Sequence, residues 1–104
     1  SRYLADYTRQ EMGVRRGIQV IPNAVDHNRF YPRENPQLRL RYAHPDEKLL
    51  LHISNFRPIK RIEDVVRVFA QVSEKIGSRL LMVGDGPDRS RAFELASELG
   101  ISGR

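Results

Sequence analysis

The sequence predicts an α/β chain built on a small parallel sheet. Two apolar runs of strand length, "KLLLHIS" and "RLLMVG", are continuous rather than alternating, the pattern of strands buried on both faces of a parallel sheet. Each run is followed by a stretch whose apolar residues recur at helical spacing. Strand, helix, strand, helix with short loops implies right-handed parallel crossovers and a doubly wound sheet.

The elements follow in chain order. From Arg2 to about Met12 a helix is expected, with Tyr3, Leu4 and Tyr7 on one face and Gly13 as its stop. Ile18, Val20 and Ile21 then suggest a short strand, ended by Pro22, which has no N–H to give a ladder. Residues 23–47 hold Pro32, Pro36 and Pro45 among polar residues and read as a connecting segment, with a short helix over Pro36 to Tyr42 and with Asn23 and Asp26 as turn and capping residues. After the first apolar run, Ile62, Val65, Val66, Phe69 and Val72 predict a helix of about fourteen residues that ends near Gly77. After the second run, Pro87 opens a helix with Ala92, Leu95, Ala96 and Leu99 inward and Gly100 as its stop. Two parallel strands alone leave apolar edges and faces uncovered, so the chain is expected to be part of a larger protein.

Composition narrows the function classes. The 104 residues are 39% hydrophobic and 30% charged, which fits one small domain or part of a larger one. Cysteine is absent, which removes disulfides and thiolate chemistry. No apolar run approaches the roughly 18 residues that span a bilayer, and the first residues lack the apolar centre of a signal peptide, so the chain reads as cytoplasmic. His27, His44 and His52 have no spacing suited to zinc, so no metal site is expected; His52, inside the first apolar run, is expected to pack or hydrogen-bond. The net charge of +5 fits a nucleic acid, a membrane surface or a phosphorylated small molecule. Arginines are scattered, with no basic tail and no aromatic-basic recognition motif, which argues against nucleic acid.

One tight cationic cluster remains. In "SNFRPIKRIEDVV", Arg57, Lys60 and Arg61 stand where a helix begins, although a helix N-terminus disfavours cations. In open α/β sheets ligands bind beyond the carboxyl ends of the strands, and two loops lie there: Ser54 to Arg61, and "GDGP", Gly84 to Pro87. Glycines admit close approach to backbone, and the free N–H groups of helix starts suit phosphate. Cations beside such a loop make a site for a diphosphate, with Glu63 and Asp64 offsetting part of the charge. The plainer reading is a solvated loop paired with those two acids. "GDGPDR" has Arg89 at the third glycine position of the dinucleotide fingerprint and is a weak dinucleotide signal by itself.

The order of the motifs adds to this. "VIPNAVDHNRFYP", a buried strand, "NFRPIKR" and "LLMVGDGP" resemble, in that order, the donor-binding half of retaining GT-B glycosyltransferases of family 4, which use nucleotide-sugars. The resemblance implies a partial, truncated Rossmann-like sheet. Residues 1–22 would be the end of an N-terminal domain and the crossing, 23–47 the connecting segment, and 48–104 the first part of the nucleotide-sugar-binding domain. Many relatives have G-R-x-x-x-x-K after the first strand; here Lys60 matches the lysine, Asn55 stands at the arginine position, and Arg57 follows two residues later. "HISNFRPIKRIEDVVRVF" is similar to the subgroup that joins N-acetylglucosamine to L-malate in bacillithiol biosynthesis.

The resemblance therefore implies a hexosyltransferase with UDP-N-acetylglucosamine as donor, a small hydroxy acid, L-malate, as acceptor held by another domain, retained configuration and no metal. By the same resemblance Lys60 and Arg57 would bind the donor diphosphate, and Asn55, Gly84, Asp85 and Gly86 would line the donor pocket. The family's acidic E-x7-E segment would lie beyond Arg104, so no catalytic residue is expected within these residues and the chain alone is expected to be inactive. Three other readings stay open: a family 4 glycosyltransferase with another acceptor, since the acceptor contacts belong to another domain; a dinucleotide-binding domain, which needs an acidic ribose ligand about twenty residues after "GDGPDR"; and a basic nucleic-acid module, which needs duplex binding with a steep salt slope.

Overall fold

A computed structural model describes every residue from 1 to 104. The chain divides into two units, Ser1–Glu34 and Asn35–Arg104.

In the first unit one helix forms, α1, Arg2–Glu11. Ser1 caps it, its side chain accepting the Leu4 N–H, and Gly13 leaves it at φ 63°, a conformation that costs glycine little. The rings of Tyr3 and Tyr7 stack one turn apart with centroids separated by 6.3 Å, and an Arg9–Asp6 pair at 2.8 Å lies across the same span. The strand expected over Ile18–Ile21 does not form. These residues run without regular structure, with Ile21 77% exposed, because a strand exists only against a partner and nothing in residues 1–34 supplies one. Asp26 does make a turn: its carboxylate accepts the Asn28 N–H at 2.9 Å, and its carbonyl accepts from Arg29 and Phe30. Asn23 lies exposed outside any turn.

The second unit begins with a short helix, α2, Pro36–Leu40, capped by the Asn35 side chain with Pro36 in its first turn. Arg39 binds it to the start of the sheet by donating to the carbonyls of His44 and Glu47. Strand β1, Lys48–Ile53, pairs in parallel with β2, Ser78–Val83, from Lys48 opposite Ser78 to Ile53 opposite Val83. Between them run a 3₁₀ turn, Pro58–Lys60, and helix α3, Ile62–Lys75; α4, Arg89–Glu98, follows β2.

Both helices contribute to one core, in which Ile62 and Val66 of α3, Ala92 and Leu95 of α4, and Phe56 pack together with Met82 of β2 against them. Leu51 and Ile53 are 58% and 66% exposed, so β1 is covered on one face rather than on both as the apolar run predicted. A continuous apolar run records the layers a strand can accept. How many layers cover it depends on the elements present, and here the helices build one.

The end of α4 differs from expectation in one residue. Leu99 is 39% exposed, and Ile101 packs on the core instead. Gly100 at φ 69° turns the chain so that the Ile101 N–H reaches the Ala96 carbonyl at 2.9 Å, a capping motif that usually brings an apolar residue back onto its helix.

Glu47 is the polar anchor at the start of β1. It accepts the His44 N–H at 2.8 Å and both Arg79 Nε contacts at 3.2 Å; the backbone N–H first, and the guanidinium second, hold its carboxyl below the ordinary glutamate range. A depressed folded-state value gives stability that is present above the unfolded value and is lost as pH falls through the folded one. Urea midpoints measured at about pH 7 and about pH 3.5 are therefore expected to fall less in Glu47→Gln than in the unaltered chain; equal falls would remove Glu47 from the acid response.

Candidate functional site

The loops that leave the carboxyl ends of β1 and β2 are joined backbone to backbone. The Ser54 N–H donates to the Val83 carbonyl at 3.1 Å, extending the ladder past β1. Phe56 then turns back: its N–H donates to Asp85 O at 2.9 Å, and its carbonyl accepts the Asp88 N–H at 3.1 Å. Phe56 is 4% exposed and sits in the core, so one aromatic residue pins both loops to the helices.

Gly84 and Gly86 are the residues that allow this. Their φ angles are 147° and 153°, in a region that side chains rarely tolerate. A Cβ on Gly84 would overlap the Ser54 carbonyl, and one on Gly86 would lie 2.8 Å from both N and C of Phe56. The sequence suggested that these glycines open backbone to a ligand; the faces without side chains are filled by the neighbouring loop. Asp85, between them, accepts the Gly86 N–H at 2.9 Å and lies 3.6 Å from Arg89, the residue at the third glycine position.

The cationic cluster separates into two kinds. Pro58 starts the 3₁₀ turn, with Lys60 N–H donating to Arg57 O at 2.8 Å and Arg61 N–H to Pro58 O at 2.9 Å. Arg61 takes the left-handed conformation, φ 51° and ψ 50°, and its guanidinium pairs with Asp64. Glu63 is engaged by Arg67 at 3.7 Å and Arg91 at 3.6 Å. Both acids of the first turn of α3 are thus committed. Arg57 and Lys60 are exposed, and no carboxylate lies within ion-pair reach of either. Neither α3 nor α4 has a side chain capping its start, so the first N–H groups of both helices are unclaimed by side chains at this end of the sheet.

All six residues expected from the sequence, Asn55, Arg57, Lys60, Gly84, Asp85 and Gly86, lie on these two interlocked loops. Reasoning from the sequence passed over Ser54 and Phe56, whose signal was a lone aromatic residue among polar ones. A cavity of about 270 Å³ opens beside Phe56 and Gly84, with Leu80, Met82, Ala92, Phe93, Ala96 and Ile101 in its apolar wall and Arg89, Ser102 and Arg104 as its polar lining. Neither Arg57 nor Lys60 borders it. No group of three His, Asp or Glu side chains converges on a point where a metal ion would sit.

Over 105 residues the chain is 36% identical to N-acetyl-alpha-D-glucosaminyl L-malate synthase of Bacillus anthracis, an alignment covering 100% of this chain and 28% of that protein. Over 105 residues it is 26% identical to GDP-mannose-dependent alpha-(1-6)-phosphatidylinositol monomannoside mannosyltransferase of Mycolicibacterium smegmatis, covering 98% of this chain and 28% of that protein. The chain thus spans 28% of the length of each of these relatives. Residues 35–104, the whole of the second unit, match the family model described as glycosyl transferases group 1, and the chain belongs to that family.

Proposed function

We propose that this chain supplies part of the nucleotide-sugar site of a retaining glycosyltransferase that uses UDP-N-acetylglucosamine and transfers its sugar to L-malate. The observation that carries the reading is the pair of unpartnered cations, Arg57 and Lys60, beside two uncapped helix starts. Exposed cations and helix starts without a side-chain cap on these two loops have the sign that a diphosphate would offset. As the bond from the sugar to the β-phosphate breaks, negative charge gathers on the leaving group. Lys60 would meet it as a compact charge and Arg57 as a planar fork for phosphate oxygens. That is the task a divalent cation performs elsewhere, so donor binding by these residues needs no metal. Asn55 and Asp85 would shape the wall around the nucleotide-sugar, with Gly84 and Gly86 holding the two loops together beneath it, and the acceptor would be held by other parts of the whole protein. The named activity of the Bacillus anthracis relative supports the choice of sugar and acceptor.

Calorimetric titration tests the donor reading. UDP and UDP-N-acetylglucosamine are expected to bind this chain more tightly than GDP-mannose, with no change on adding EDTA. Preference for GDP-mannose would move the donor toward that used by the Mycolicibacterium smegmatis relative. In the whole protein, L-malate is expected to trigger UDP release, while this chain alone is expected to release none.

A further inference from the structure

A polar imidazole inside a continuous apolar strand calls for a reason. His52 lies in β1 opposite Met82, which packs on the core, and its Nε2 stands 2.8 Å from Ser54 Oγ. Its ring is tilted at 40° to that of Phe56, with centroids 6.4 Å apart. Ser54 and Phe56 are the residues whose backbones fill the open faces of Gly84 and Gly86. One side chain on a paired strand therefore touches both points at which the two loops are joined. Asn55 lies between those points and Arg57 directly after them.

We propose that His52 is a positioning residue: acting through Ser54 and Phe56, it fixes the loop that carries Asn55, Arg57 and Lys60 at the spacing a diphosphate requires. The affinity effect rests on the donor reading given above; the hold on the loop does not. A leucine at this position would add apolar area, but it would leave the half-buried Ser54 hydroxyl without its partner and free the side chain to turn. Because Ser54 O is in close approach to Gly84, a turn at Ser54 would be passed to the second loop.

The test compares His52→Ala, Ser54→Ala, the double variant and His52→Gln in this chain, by UDP titration and by backbone amide spectra. His52→Ala and Ser54→Ala are each expected to weaken UDP binding about three- to tenfold, the effect of one lost hydrogen bond. The double variant is expected to bind no more weakly than either single one, because both remove the same link. His52→Gln, which keeps a side-chain amide in reach of Ser54, is expected to return to within about twofold of the unaltered chain. In the spectra, His52→Ala is expected to move the amides of Asn55, Phe56, Arg57, Ile59 and Lys60 and His52→Gln to restore them. Unchanged affinity, additive losses, or a fall in melting temperature with these amides unmoved would overturn the proposal. If His52→Ala does not fold, Ser54→Ala carries the same readouts. Should the unaltered chain bind no UDP, the donor reading fails; moved and Gln-restored amides would still uphold His52, and unmoved ones would overturn it.

Discussion

Gly86→Ala is expected to lower the stability of the second unit by roughly 3 kcal/mol and to remove detectable UDP binding, from backbone strain and overlap together. At φ 153° an alanine pays for a conformation that only glycine visits routinely. Its Cβ would also lie 2.8 Å from two backbone atoms of Phe56, which cannot yield as a flexible side-chain tip would. Relief requires parting the loops, which gives up the bonds between Phe56 and Asp85 and between Asp88 and Phe56 and draws the ring from the core. The loss corresponds to a fall in melting temperature of about 12–24 °C for a domain of this size. Gly103→Ala is the control: no atom lies within 4 Å of the point its new methyl would occupy, and a change within about 0.5 kcal/mol is expected. A Gly86→Ala chain that melts with the control and binds UDP normally would show that the loops are not held as described.

The unequal legibility of the elements has a physical basis. Helix α3 was readable to within about two residues at its end, 14 residues from Ile62 to Lys75, because its inward positions repeat at the helical period and local pattern suffices for a helix. β1 and β2 were readable as strands for a similar reason, bounded by polar residues and glycine. The short stretch Ile18 to Ile21 has the residues of a strand and forms none, since pairing is a property of two segments and composition reports on one. The exposure of Leu51 and Ile53 was hidden for the same reason, being set by which layers pack on the sheet.

At the candidate site the residue types were legible and their relations were not. The sequence offered Glu63 or Asp64 to Arg61; the left-handed turn at Arg61 directs it to Asp64 and leaves Glu63 to Arg67 and Arg91 across to α4. "GDGP" announced backbone freedom, but its beneficiary, the loop after β1, is 30 residues away in sequence between Ser54 and Gly84 and meets it only through the parallel register.

Lys60→Ala is expected to act with opposite sign on stability and on turnover, which makes it the strongest discriminator between a surface cation and a ligand. In the free chain Lys60 precedes α3 with no acid within ion-pair reach, so removing its charge is expected to be neutral or to stabilise by about 0.3–1 kcal/mol, the usual cost of a cation at a helix N-terminus. If Lys60 meets the donor diphosphate as proposed, the same change in the whole protein is expected to lower kcat by a factor of about 10²–10³, the usual effect of removing one group that stabilises developing charge. UDP binding to this chain alone should weaken less, about three- to tenfold, because an open surface is screened by water and salt. Arg61→Ala supplies the contrast: its guanidinium already belongs to Asp64, so turnover should fall by less than about threefold. Lys60→Arg keeps the charge and changes its shape, and is expected to recover part of the loss. A Lys60→Ala protein with turnover within about twofold of the unaltered one would sink the assignment. A gain in stability beside a collapse in kcat would identify a residue kept against the interest of the fold, since a structural surface lysine has no reason to move the two quantities in opposite directions.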